Sequence, residues 1–295
     1  MKTTNLGALA LGATLLGAGA AQALEAKMYA VTTWNAGCSG STRDWWDNMA
    51  DAWYNDITNS GTSIFGWCIS GHCSEAYSKD GRLVNGNMVN SYFADATRVS
   101  FGNDPTHLDD GDAVLMALHG ADVGTGWSGS LRVDEAGTGN CKIETPEMEI
   151  GDTDLEFLHL SSCYSMDDNL WSTWEKSMAR AHQVDGFHGL MWIGSSLVGD
   201  YEDFSDDSFG GSISDAWLDN MYYSNSFGTN NVDDQCPVAF AVGSNGTDAV
   251  NRLHNERYDN VFSDPPHSTT TGAGTIWATT YIGGCDPQGE NTINN

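Results

Sequence analysis

Two apolar runs in this chain end on residues that can do chemistry together. Ala113-Val114-Leu115-Met116-Ala117-Leu118 runs into His119-Gly120, and Leu155-Glu156-Phe157-Leu158-His159-Leu160-Ser161-Ser162 runs into Cys163. If the runs are strands of one sheet, an imidazole and a thiol share an edge. Those two groups are the minimum equipment of a cysteine hydrolase. The imidazole lowers the thiol pKa and protonates a leaving amine. Gly120 lets backbone approach a substrate, and its N–H with that of Cys163 forms the expected oxyanion hole. Asp122, just past His-Gly, is a candidate to orient the imidazole or bind substrate. A helix starting near Asp167 or Asp168 would bring its positive end toward the thiol.

The elements that must position this pair can be read from periodicity. Met28 to Trp34 is β-branched and aromatic and reads as a first strand. Ser41-x-x-Asp44 resembles a capping box, and Trp46, Met49, Trp53 and Ile57 recur at helical spacing, so a helix is expected over 42–58. Residues 63–69 read as a strand, 70–87 as loop, and 88–93 as a short helix. Leu131 to Val133 and Lys142-Ile143 suggest a hairpin, and Pro146 to Ile150 one helical turn. After Cys163, Leu170, Trp171, Trp174, Met178 and Ala181 read as a helix. Gly189 to Ile193 then reads as a buried strand, which puts His188 at its start and argues for a structural histidine. Ile213 to Met221 reads as a helix, and Pro237 to Val242 and Thr275 to Ile282 as strands. Strands alternating with helices imply an α/β fold with a mostly parallel central sheet covered on both faces. Such sheets build sites at the carboxyl ends of strands, where His119 and Cys163 sit. His159 shares a face with Cys163 but lies deeper, so it reads as a core histidine.

Composition narrows the setting. Met1-Lys2, the apolar stretch Leu6 to Ala20 and the small-x-small site Ala21-Gln22-Ala23 read as a signal peptide over residues 1–23, so the chain is expected to be exported, periplasmic or extracellular. Residues 24–295 are then a single α/β domain with a C-terminal strand and a polar tail. The chain carries 40 acidic against 12 basic residues, a formal charge of −28. Such a surface repels phosphate backbones and excludes nucleic acid as a partner. No further membrane span is expected. The acids suit solvation in salty water. Calcium is the one ion they suggest, at Asp109-Asp110-Gly111-Asp112, Gly151-Asp152-Thr153-Asp154 or Gly199-Asp200-Tyr201-Glu202-Asp203, and no cofactor is required. Seven cysteines in an exported chain imply disulfides with one thiol left over. Cys68 and Cys73 are spaced for a small loop bridge. With His72 they could imitate a metal site, but the disulfide is the better reading, and no metal ligands are assigned. Cys163 is the best candidate for the unpaired thiol.

The order strand-His-Gly, then strand-small-Cys, resembles the caspase/gingipain/legumain group of cysteine peptidases. The two residues are 44 apart, near the roughly 50 of caspases. The chain is also similar to an uncharacterised family of exported caspase-like bacterial proteins, through Met148-Glu149-Ile150-Gly151-Asp152-Thr153-Asp154-Leu155-Glu156-Phe157 and Gly186-Phe187-His188-Gly189-Leu190. The resemblance implies a three-layer α/β/α sandwich, a His119/Cys163 dyad with Gly120 at the oxyanion, and a peptide or protein substrate attacked through a thioester. The pentapeptide Gln-Ala-Cys-x-Gly is replaced here by Ser161-Ser162-Cys163-Tyr164-Ser165, so substrate preference does not transfer. A serine hydrolase elbow is absent, since Gly126-Trp127-Ser128-Gly129-Ser130 fails at its last position. The alternative is a catalytically inactive, disulfide-braced exported binding protein on the same fold; the dyad itself competes with a bridged Cys163 beside a hydrogen-bonded, structural His119.

Overall fold

A computed structural model describes residues 24–38, 40–135, 141–224, 234–266 and 276–293. Residues 1–23, expected as a signal peptide, lie outside the described residues. In chain order the elements are β1 (Glu25–Ala30), α1 (Trp46–Ile57), β2 (Thr62–Ile64), β3 (Trp67–Ser70), β4 (Ser78–Val84), β5 (Ala113–Ala117), β6 (Gly120–Asp122), β7 (Trp127–Ser130), β8 (Lys142–Glu144) and β9 (Phe157–Ser161). There follow α2 (Trp171–Ser177), β10 (Gln183–His188), α3 (Val198–Gly210), α4 (Ile213–Met221), β11 (Cys236–Gly243), α5 (Gly246–Asn255) and β12 (Ile276–Tyr281).

Seven strands form one sheet in the order β12-β11-β10-β9-β5-β1-β4. From β4 to β10 all neighbours are parallel; β11 is antiparallel to β10 and to β12. The fold is therefore mixed α/β with a large, mostly parallel sheet, as the alternation of elements implies. Strand β5 shows how both faces are buried. Ala113, Leu115 and Ala117 enter a core shared with α1, α3 and α4, while Val114, Met116 and Leu118 enter a second core with Trp127 and Trp174. A continuous apolar run is what a strand covered on both sides requires. Among the described residues no helix is long and apolar enough to cross a membrane.

Several elements depart from the sequence expectations. The strand expected at 189–193 is instead β10, Gln183–His188, so His188 lies at its carboxyl end. Its polar residues are buried because they have partners. Asp185 accepts from Gln183 at 2.7 Å and lies 2.8 Å from His159 Nδ1, and Tyr258 pairs with His159 Nε2 at 2.8 Å. Trp53 donates to the Tyr258 hydroxyl at 3.1 Å, extending this buried network. His159 is thus a core histidine. Helix α1 begins after Trp45 with no side-chain cap, so Ser41-x-x-Asp44 is not its capping box. Residues 78–84, expected as loop, are the edge strand β4, and helices α3 and α5 were not foreseen.

The cysteines pair as Cys38–Cys141, Cys68–Cys73 and Cys236–Cys285, leaving Cys163 free. Three disulfides are compatible with an exported protein. The pairing matches the loop bridge and the unpaired thiol expected from spacing and count.

Acids gather at the amino ends of the parallel strands. Asp109 accepts the N–H groups of Gly151 and Thr153, each at 2.6 Å, tying two of the acidic clusters together. Asp112 accepts the Glu25 N–H at 2.5 Å, and Lys27 bridges Asp80 and Asp110. Burial, then the charges of Asp95 and Asp152, push the fully buried Asp104 up to about 8. Its folded state therefore keeps a proton that the unfolded chain releases near pH 4. Stability falls as pH rises from that value toward 8. Asp104→Asn cannot titrate, so its melting-temperature advantage over the parent should be wider at pH 8 than at pH 4.5. An equal gap at both would contradict the assignment.

Candidate active site

The parallel pairing of β5 with β9 runs in register from Ala113↔Phe157 to Ala117↔Ser161. His119 and Cys163 each lie two residues beyond the last pair. Leu118 still donates to the Ser161 carbonyl at 3.3 Å, so the strands have not separated at this point. Neighbouring strands lie about 4.8 Å apart, so the two residues leave the carboxyl edge from adjacent strand ends. The acidic clusters at the starts of β1, β5 and β9 are at the other edge.

His119 is held from the side of β1 and α1. Its Nε2 lies 2.8 Å from the Ser41 carbonyl oxygen. A carbonyl only accepts, so Nε2 carries the proton and the neutral ring keeps its lone pair on Nδ1. Trp34 and Trp46 pack on the ring with centroids at 4.9 and 4.8 Å, and Trp34 is itself fixed by donating to Ser130 Oγ at 3.0 Å. Burial, aided by the charge of Arg43 and opposed by the Ser41 carbonyl, holds the imidazole pKa below its ordinary value. The ring is neutral at pH 7.

Cys163 sits on a sharp turn. Tyr164, next in the chain, has φ +56°, and Ser165 Oγ donates to the Ser162 carbonyl at 2.7 Å. Positive φ at a bulky residue is uncommon and is maintained here by the surroundings. Tyr164 N–H donates to the Gly189 carbonyl at 2.7 Å, which docks the turn on the loop after β10. Burial pushes the thiol pKa up, against the lowering effects of the Met191 N–H, the Arg43 charge and the residue's own N–H. Thiol and imidazole are therefore both neutral at rest.

Gly120 closes the gap between the two. A Cβ placed there would overlap Ser162 Oγ, the Cys163 carbonyl oxygen and Trp127 Nε1. The Ser130 N–H donates to the His119 carbonyl at 2.8 Å, which makes 119/130 a hydrogen-bonded pair of the small sheet β6-β7-β8. Gly120 and Gly129 then form a non-hydrogen-bonded pair, and the Gly120 N–H is directed away from β7.

Asp122 is not the residue that holds the imidazole. Its carboxylate accepts from the Gly124 N–H at 2.6 Å and from Asn169 at 2.8 Å, fixing the β6-β7 turn against the approach to α2. His188, at the carboxyl end of β10, donates from Nε2 to the Asn291 carbonyl at 2.7 Å and lies 3.2 Å from Asp167. Burial opposes its charge, but Asp167 and the Asn291 carbonyl outweigh that and its pKa is raised. The helix after Cys163 begins only at Trp171, behind a single tight turn at Asp168–Leu170. Sequence reasoning missed Ser41, Trp34, Arg43 and Met191. Trp34 could have been found, since it follows the strand next to β5 and so ends at the same edge. Ser41 and Met191 act through backbone atoms, for which sequence carries no signal.

Gly120→Ala tests how closely the two strand ends approach. It is expected to lower the stability by about 1–3 kcal/mol in urea unfolding, because the methyl group meets backbone and a buried indole. A neutral substitution would contradict the close approach.

A comparison with the curated proteins finds no match. A family model described as "Domain of unknown function (DUF6345)" matches residues 31–281, which includes both His119 and Cys163 and every strand of the central sheet except β1. The chain belongs to this DUF6345 family, a domain of unknown function.

Proposed function

We propose that this chain is an exported cysteine peptidase of caspase-like, three-layer α/β/α architecture, with Cys163 as nucleophile and His119 as its base. The observation that carries the reading is the position of His119 and Cys163, each two residues past the last register pair of adjacent parallel strands, with Cys163 the thiol outside the disulfides. The Ser41 carbonyl supports it further by leaving Nδ1 as the acceptor nitrogen.

The reaction follows from two neutral groups. The Cys163 sulfur attacks the peptide carbonyl as His119 Nδ1 takes the thiol proton. The carbonyl π electrons move onto oxygen, which the N–H groups of Gly120 and Cys163 receive. Collapse re-forms the carbonyl and breaks the C–N bond, and the imidazolium gives its proton to the departing amine. Water then attacks the thioester, again losing a proton to His119, and the thiol is regenerated. Arg43 assists the first step, since its charge favours thiolate over thiol. It also disfavours imidazolium, so the proton is readily passed on.

One observation favours the alternative, a binding protein on the same fold. Burial raises the thiol pKa rather than lowering it, which is the behaviour of an inert cysteine. Hydrolysis of a mixed peptide library, with and without calcium, separates the readings. Cys163→Ala should abolish turnover, and His119→Gln should lower kcat/KM by about 10²–10⁴. The acid limb of the pH profile should fall below the ordinary imidazole value of 6.5, because His119 must be neutral to act as base. Turnover that survives Cys163→Ala would sink the peptidase reading, and no turnover under any condition would favour the binding protein.

A further inference from the structure

A second cluster of chemically capable side chains lies at the far end of α1. Trp46, in the first turn of that helix, touches His119; Asp56, ten residues on, is about 15 Å further along. Here Asp56 of α1, His72 after β3 and Asp206 of α3 each offer one ligand atom, and these atoms all lie within 4.8 Å of one another. We propose that Asp56, His72 and Asp206 bind one divalent first-row metal ion of the zinc class.

Two of the three ligands are already set. His72 Nε2 lies 2.9 Å from Asp56 Oδ2, and the two side chains are 5% and 14% exposed. The His72 backbone N–H donates to the Asn59 carbonyl at 2.8 Å, its ring stacks on Phe209 at 3.6 Å and 11°, and the neighbouring Cys73 is bridged to Cys68. The ring therefore cannot turn away. Tetrahedral zinc, with bonds near 2.0–2.2 Å, holds its ligand atoms about 3.4 Å apart. The His72–Asp56 pair at 2.9 Å must open by about 0.5 Å to reach that spacing, and Asp206, the exposed member, is free to change rotamer. Phe209 and Asp206 are three residues apart on α3, so the helix face that stacks on the ring also presents the carboxylate.

Charge supports a cation over a simple ion pair. A His72–Asp56 pair accounts for two groups, but Asp206 then adds a second carboxylate to a single imidazole. Among the described residues neither carboxylate forms an ion pair with Lys or Arg. A divalent ion balances both. The donor set selects the class. One imidazole with two carboxylates suits zinc and its first-row neighbours, whereas calcium takes six to eight oxygens. The adjacent sulfurs are in a disulfide and are not ligands. His72 also borders a cleft of about 360 Å³ lined by Gly61, Cys68 and Glu75. Such an ion joins α1, α3 and the base of the β2-β3 hairpin, whose Phe65 and Trp67 stand 98% and 77% exposed. It is a clamp on the helix that positions His119 and takes no part in chemistry at Cys163. Sequence reasoning raised His72 only beside Cys68 and Cys73; Asp56 and Asp206 come from separated elements, and no spacing in the chain points to them.

The test uses the signal-cleaved protein, stripped with chelator and held in excess magnesium to occupy exposed acids. Calorimetric titration with zinc should show one ion per chain and a raised melting temperature, and cobalt should give the visible absorption of a four-coordinate site. His72→Gln should remove the cobalt spectrum. Asp206→Asn, at an exposed position, should fold normally without metal and bind zinc at least tenfold more weakly, so it carries the test if His72→Gln fails to fold. Zinc binding by Asp206→Asn with the parent's affinity and stoichiometry, or no binding by the parent, overturns the proposal.

Discussion

The parallel pairing of β5 with β9 is the constraint on which the rest of the structure depends. Each strand is buried on both faces, so neither can slip by one residue without turning its whole apolar set around. The register fixes Ala117 opposite Ser161, and with it the relative height of His119 and Cys163. The polar network between β9 and β10 adds a second lock. His159 and Asp185 are register partners as well as hydrogen-bond partners, and a slip would strand both without water. The chemistry at the edge thus depends on packing and polar satisfaction several residues deeper.

Electrostatics divide the sheet into two ends. Carboxylates collect at the amino ends of the parallel strands, where several are buried and hold protons at neutral pH. The carboxyl ends carry Arg43, His119 and Cys163. An acid beside His119 would favour imidazolium at rest; its actual partner is the uncharged Ser41 carbonyl. The resting pair is consequently neutral, unlike a preformed thiolate and imidazolium. In the proposed reaction, substrate supplies the rest of the driving force by bringing its carbonyl to the Gly120 N–H.

Much of the central sheet was legible because β5, β9 and β11 obey the rule for doubly buried strands: continuous apolar runs bounded by polar turns. The same rule misplaced β10. Gln-Val-Asp-Gly-Phe-His alternates polar and apolar, and its polar residues are buried only because His159, Asp167 and Asn291 receive them. No local pattern announces partners that distant, so the apolar Gly189 to Ile193 looked more like a strand. Helix α3 was hidden by its acids, which face solvent while Tyr201, Phe204 and Phe209 form the buried stripe. Strand β4 is an edge strand with Lys79, Asp80 and Arg82 among its seven residues, a composition that discourages further pairing and also disguises the strand. The positions of His119 and Cys163 were readable because both groups are side chains at strand ends. Their supports at Ser41 and Met191 are backbone atoms placed by tertiary structure.

The most direct measurement is the alkylation of the native, unreduced protein by iodoacetamide, with the labelled site mapped by peptide mass spectrometry across pH. The account expects Cys163 to take the label, with a rate that keeps rising past the range where an ordinary thiol levels off, and a slower rate at each pH once Arg43→Gln removes the charge that favours thiolate. Label absent from Cys163, or Cys163 recovered in a disulfide, would contradict it.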